Sequence, residues 1–154
     1  MRNDITIDRT FGRLVLLLAF LFAAAPGAAR AGTVIDSPKA LAGVTAGQMT
    51  LIDVRSPEEW RETGLPQGAK PVTIHGPDGM AGFVAATTKA MLGKKDQPVA
   101  LICARGWRSY RAANALRDAG FTNVINVREG MLGNPFDGPG WLDRKLPVEK
   151  CKSC

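Results

Sequence analysis

Short apolar runs alternate along this chain with stretches in which apolar residues recur every three or four positions. Met49–Val54 (MTLIDV) predicts a strand. The next residues, Ser56-Pro57-Glu58-Glu59, open a helix: Ser56 is the N-cap, Pro57 takes the first position and Glu59 stands three after the cap. Glu58 and Glu59 are most simply explained as charges favoured at that helix N-terminus. Pro71–Ile74 predicts a second short strand. Gly79–Leu92 carries apolar residues at helical spacing until Gly93 stops it. Gln97–Ile102 predicts a strongly apolar strand, and Ser109–Ala119 a clear amphipathic helix, with Ala112, Ala113, Leu116 and Ala119 toward a sheet. Asn123–Val127 follows as a further strand. The alternation predicts the α/β class with a mainly parallel central sheet, built from two β-α-β units that share central strands. Gly130–Gly140, with Asn134-Pro135 and Gly138-Pro139-Gly140, reads as loop, after which Trp141 and Leu142 pack back onto the body.

The N-terminal segment follows a different pattern. Arg9 and Arg13 precede twelve consecutive apolar residues, Leu14–Ala25, and then come Pro26, Gly27 and the small-residue pattern Ala29-Arg30-Ala31. A basic start, a short apolar core and an A-x-A site before Gly32 predict a signal peptide over residues 1–31. Spanning a bilayer takes about 20 apolar residues, so an uncleaved anchor is the weaker reading and membrane contact is expected only during export. The expected location is the bacterial periplasm. Cleavage deletes Arg2, Arg9, Arg13 and Arg30 against Asp4 and Asp8, which lowers the net charge from +6 to +4. The remaining basic residues are scattered, with no aromatic-interleaved stripe, so nucleic acid is not an expected partner. At 154 residues, 45% hydrophobic and 22% charged, the chain is neither disordered nor collagen-like, and one domain over residues 32–148 is the default.

An oxidising compartment requires each thiol to be paired, protected or used. Cys103 directly follows the strand pattern Val99–Ile102 and precedes a helix, and in open α/β sheets ligands bind beyond the carboxyl ends of strands. The linking residues Ala104, Arg105, Gly106 and Trp107 must curl tightly. Such a turn aims backbone N–H groups inward at a helix N-terminus and forms a cradle for an anion. A thiolate there is stabilised by those groups, by the helix dipole and by Arg105 and Arg108. The competing reading is a buried core thiol, a common state for free cysteine. Two arginines and a glycine within the next five residues suit an anion pocket better than a core.

Several spaced motifs resemble one family. Leu51-Ile-Asp-Val-Arg55 with Glu59-Trp60 and Gly64-Leu-Pro-Gln-Gly-Ala69 resembles the first rhodanese signature, and Ile102-Cys-Ala-Arg-Gly-Trp-Arg-Ser109 resembles the rhodanese active-site loop. Arg111–Leu116, Ala119-Gly-Phe121, Val124 and Gly130-Met131 continue the pattern, so the likeness runs from about Ser37 to Leu146. The resemblance implies a rhodanese-like single domain, α/β, with helices on both faces of the sheet. It also implies a sulfurtransferase in which Cys103 takes a sulfane sulfur from a donor such as thiosulfate and passes it, as a persulfide, to cyanide or a thiol. Ala104, Arg105, Gly106, Trp107, Arg108 and Ser109 would then form the persulfide-binding loop, with Arg108 shaping it and Arg105 or Trp107 selecting the donor at its rim. Asp53 and Arg55 would lie near the loop in supporting roles, Asp53 through backbone or arginine hydrogen bonds. Neither metal nor organic cofactor is implied. Four residues separate Cys103 from Arg108, whereas related phosphatases place five between cysteine and arginine, so the pocket is sized for sulfur. One departure stands out: Leu65 occupies the place where the family usually has histidine. The lone histidine, His75, reads as a loop residue and not as a catalytic one.

The chain closes with Cys151-Lys-Ser-Cys154, in a tail over residues 149–154. Two thiols without a second pair make a poor metal site, and the tail lacks the strand-to-helix setting of a thioredoxin-like motif. A local disulfide is the simplest reading. The sharper alternative makes Cys151 and Cys154 accessory thiols that take sulfur from the Cys103 persulfide. The rival to the enzyme as a whole is a non-catalytic rhodanese-like module that binds a partner in the cell envelope.

Overall fold

Alternate side chains on the central strands enter two separate apolar layers, as a pleated strand buried on both faces requires. The computed structural model describes residues 32–151 and Cys154, so the expected signal peptide lies outside the described residues. The elements in chain order are β1 (Thr33–Ile35), α1 (Ser37–Thr45), β2 (Thr50–Asp53), α2 (Pro57–Thr63), β3 (Leu65–Pro66), β4 (Lys70–Pro71), α3 (Gly79–Ala90), β5 (Val99–Ile102), α4 (Trp107–Asp118), β6 (Val124–Val127) and β7 (Val148–Glu149). Five strands form one sheet in the order β1-β6-β5-β2-β4, and every neighbouring pair is parallel. Leu51 lies opposite Ala100, and Leu101 opposite Asn126. β3 and β7 make a separate antiparallel ribbon.

On one face, Ile52, Val99, Leu101 and Val124 pack with Phe83 of α3 and Ala112, Ala113 and Leu116 of α4. Opposite them, Leu51, Ala100, Ile102, Ile125 and Val127 pack with Ala40 of α1, Met131 and Trp141. Helices therefore cover both faces of a mostly parallel sheet, as the sequence predicts. Cys103 projects into the first layer. Trp141 packs back fully buried, with its indole N–H donating to the Pro147 carbonyl at 2.9 Å.

Three details depart from the sequence reading. The strand expected over Pro71–Ile74 is confined to Lys70–Pro71, because Pro71 has no N–H to donate and β4 is an edge strand. Val72 and Ile74 still donate to the carbonyls of Asp53 and Val54, which keeps the segment against β2. Helix α4 starts at Trp107, two residues before the predicted Ser109, since Gly106 already accepts the first helical bond from Tyr110 N–H. β1 and α1 have no counterpart in the sequence reading. Asp36 caps α1 by accepting from Lys39 N–H at 3.0 Å, with Pro38 in its first turn.

A long-range bond fixes α1 to the sheet. The Ser37 N–H donates at 2.7 Å to a carboxylate oxygen of Glu129, which is fully buried just after β6. Arg144 Nε lies 3.8 Å from the same oxygen. Removing the acceptor leaves a buried N–H unsatisfied, at a cost of about 1–3 kcal/mol. Glu129→Ala should therefore lower the urea unfolding midpoint with an unchanged m-value, and Glu129→Gln, which retains an acceptor oxygen, should lose less.

Candidate active site

The chain leaves β5 at Ile102 and must enter α4 by Trp107, and it turns in the residues between. Gly106 makes this possible with a left-handed φ of 89°. A Cβ at Gly106 would collide with the Arg128 carbonyl oxygen, so the position accepts only glycine on two grounds, conformation and space. On the other side of the loop, the carbonyls of Cys103 and Ala104 accept from the N–H groups of Met131 and Leu132, each at 2.8 Å. With these carbonyls bonded to the neighbouring loop, the turn presents the Gly106 N–H to the sulfur.

Cys103 is 1% exposed, and its Sγ accepts from Gly106 N–H at 3.1 Å. The buried Ser109 hydroxyl lies 3.4 Å from Sγ and 3.0 Å from the Gly106 carbonyl, so its single proton serves one acceptor at a time. The sulfur therefore sits at the N-terminus of a twelve-residue helix, facing neutral donors, in a field that favours negative charge.

Neither arginine of the loop hydrogen-bonds to the sulfur; each is held by a protein partner instead. Arg105, exposed at the rim, donates to the Gly133 carbonyl at 3.0 Å. Arg108 makes a bidentate pair with Glu59, at 2.7 and 2.6 Å. Glu59 is thus more than a helix-terminal charge: it also accepts from Ser56 N–H at 3.0 Å and so joins the capping box of α2 to the start of α4. The Arg108 guanidinium holds the Glu59 carboxyl down at about 2, against the opposing effect of partial burial. Arg108 is raised in turn, chiefly by Glu59, with smaller contributions from the charges of Cys103 and Asp53. Arg108 Nη1 also lies 3.1 Å from His75 Nε2. A guanidinium only donates, so this contact requires a neutral ring accepting at Nε2.

Asp53 and Arg55 form a buried pair beneath α2. Asp53 accepts from Arg55 Nη2 at 2.6 Å, from Nε, and from the Arg55 backbone N–H. Arg55 continues to Thr63 Oγ1 and the Gly64 carbonyl at the far end of α2. Burial pushes the Asp53 carboxyl up, and Arg55 opposes that. Both residues position α2, and neither hydrogen-bonds to the sulfur.

Trp107 stands at the rim, 70% exposed. Cys151 and Cys154 are joined in a disulfide with Cα atoms 5.7 Å apart. β7 anchors this segment to β3, and Arg61 donates to the Cys154 carbonyl oxygen at 2.5 Å. Cys103 is the free cysteine. Among the described residues, no cluster of three His, Cys, Asp or Glu side chains could hold a metal ion.

The sequence reading missed Glu59 and His75 as partners of Arg108. Glu59 is 49 residues away in sequence, so nothing local could reveal the pairing.

The model of the rhodanese-like domain matches residues 37–133, and the chain belongs to that family. It is 31% identical over 99 residues to the uncharacterised protein RP600 of Rickettsia prowazekii, covering 63% of this chain and 80% of that protein. The structure is similar to Rv0390 of M. tuberculosis, with a TM-score of 0.62, 26% identity, and coverage of 78% of this chain and 98% of that one. It also shares its fold with the polysulfide-sulfur transferase homodimer of Wolinella succinogenes, at a TM-score of 0.52 and 23% identity, over 79% of this chain and 81% of that one.

The Glu59–Arg108 pair has a defined pH signature. The folded carboxyl titrates at about 2, below its ordinary 4.5, so its contribution is fully present above 4.5 and is lost as pH falls toward 2. The pair is partly exposed, and allowance for solvent screening leaves about 1 kcal/mol. Glu59→Gln should therefore be less stable than the parent by about that amount at neutral pH, with the gap closing between pH 4.5 and 2 in urea titrations.

Proposed function

We propose that the protein is a sulfurtransferase that carries a sulfane sulfur on Cys103. The observation that supports this is the free Cys103 sulfur at the end of β5, facing the Gly106 N–H and the Ser109 hydroxyl at the head of α4. In the first half-reaction the Cys103 thiolate attacks the outer sulfur of thiosulfate. A new S–S bond forms, the old one breaks, and sulfite leaves with the electron pair. The product, Cys103–S–S⁻, is an anion at a helix N-terminus, where the Gly106 N–H and the Ser109 hydroxyl already face the sulfur. In the second half-reaction cyanide or a thiolate attacks the outer sulfur and returns Cys103 as thiolate. Two half-reactions through a covalent intermediate entail ping-pong kinetics. Arg105 and Trp107 stand where an arriving donor would meet them. Export of the mature chain to the periplasm, with residues 1–31 as leader, belongs to the same proposal.

Incubation with thiosulfate should add the mass of one sulfur atom to the peptide containing Cys103, and Cys103→Ser should abolish both that adduct and thiocyanate formation. Turnover that persists in Cys103→Ser would remove Cys103 from this role, and an unmodified parent would favour the envelope-binding module.

The disulfide between Cys151 and Cys154 offers a second thiol site once a thiol acceptor has reduced it. A tail thiolate would then take the outer sulfur, and its partner would displace it as hydrosulfide, re-forming the disulfide. Deleting residues 150–154 should slow turnover with thiol acceptors and leave cyanide turnover intact; equal loss, or no loss, would reject the relay.

A further inference from the structure

Among the described residues, seven large apolar side chains are exposed, and four of them stand on the two segments that meet at the Cys103 loop. Trp107 and Tyr110 lie on the first turn of α4, while Leu132 and Phe136 lie on the loop after β6. The segments are fastened together: Leu132 N–H donates to the Ala104 carbonyl, and Arg105 donates to the Gly133 carbonyl. Phe136, 87% exposed, is held out by a built turn. The Asn134 side-chain oxygen accepts from the N–H groups of Phe136 and Asp137, and its amide donates to the Arg128 carbonyl at 3.2 Å. The turn fixes the backbone of Phe136 and so presents its ring to water, where an apolar group marks a contact surface for a partner.

The charges around this patch are unbalanced. Arg108 is satisfied by Glu59, and Arg128 has Asp137 at 3.6 Å. Arg105 and Arg111 are exposed and have no carboxylate within salt-bridge distance among the described residues. Arg111 follows Trp107 by one helical turn and therefore shares its side of α4. Aromatic side chains mixed with arginine are the composition of protein–protein interface cores. The sulfur itself is almost fully buried, so an acceptor must bring a narrow nucleophile to it while its bulk rests on the rim.

We propose that this rim docks a protein acceptor whose cysteine lies in an acidic, extended segment: the carboxylates meet Arg105 and Arg111, and apolar flanks rest on Trp107 and Phe136. The proposal rests on the sulfur-transfer reading for Cys103 and assigns the acceptor class. No new chemistry is needed, since the acceptor thiolate attacks the outer sulfur and Cys103 departs as thiolate.

The test uses the full mature chain loaded with sulfur from thiosulfate, and two synthetic peptides, one with cysteine between Asp and Glu residues and one with cysteine between lysines. At low ionic strength the acidic peptide should take sulfur about tenfold faster per mole than the basic one, and the difference should shrink at about 0.5 M salt. Arg111→Glu and Phe136→Ser should each slow transfer to the acidic peptide and leave cyanide turnover unchanged. Equal rates for the two peptides, or variants indistinguishable from the parent, would overturn the proposal. Binding of an acidic peptide with serine in place of cysteine, read by quenching of indole fluorescence on the unloaded protein, needs no chemistry. A chain that never loads sulfur sinks the enzyme reading, whereas indifference of this binding to peptide charge sinks the docking surface.

Discussion

The molecule depends on one tight passage of backbone, the turn that takes the chain from β5 into α4. It closes because Gly106 adopts a left-handed conformation against the Arg128 carbonyl, where any side chain would collide. From that constraint follow the burial of Cys103, the direction of the Gly106 N–H toward its sulfur, and the start of α4 at Trp107. The carbonyls of Cys103 and Ala104 find donors in Met131 and Leu132, so the loop after β6 completes the turn from outside. Gly130, at φ 66°, gives that approach the same freedom, because a Cβ there would meet the Cys103 carbonyl.

Charge is used indirectly around the sulfur. Arg55 is neutralised by Asp53 and ties the end of β2 to both the start and the far end of α2. α2 in turn carries Glu59 to Arg108, which fixes the first turn of α4. The two ion pairs therefore form a strut from the sheet to the helix that faces Cys103. Breaking either pair would leave an uncompensated charge, severely so for the buried one. The sulfur is left with neutral donors. On the sulfur-transfer reading this suits an atom that must alternate between attacking and being displaced, since a direct salt bridge to an arginine would hold it in place through both steps.

Much of this was legible in the sequence. The central strands, α2 with its capping box, α3 and α4 follow from local pattern, and Cys103 from its place after the most buried strand. Elements shaped by distant partners were not legible. α1 packs Ala40, Leu41 and Val44 on the sheet and is held by Glu129, 92 residues away, while the β3–β7 ribbon pairs Leu65 with Glu149 across the chain. The partners of Arg105 and Arg108 were not legible for a related reason. A sequence shows two cations beside a thiol, but only the fold shows that the Gly133 carbonyl, Glu59 and His75 already occupy them.

The three cysteines divide along physical lines that bear on the site. Cys151 and Cys154 are close in sequence, lie half-buried in the tail and satisfy each other. Cys103 is kept from any such pairing by burial and by a loop that approaches its sulfur with N–H and O–H groups on the protein side. A thiol protected in this way is reached only through the rim, and the rim carries Trp107, Phe136 and two arginines that have no carboxylate within salt-bridge distance among the described residues. On the sulfur-transfer reading, selectivity therefore belongs to the surface around the opening, while reactivity belongs to the backbone beneath it. The two are coupled through the hydrogen bonds that join both loops, among them Arg105 to the Gly133 carbonyl and the Leu132 N–H to the Ala104 carbonyl.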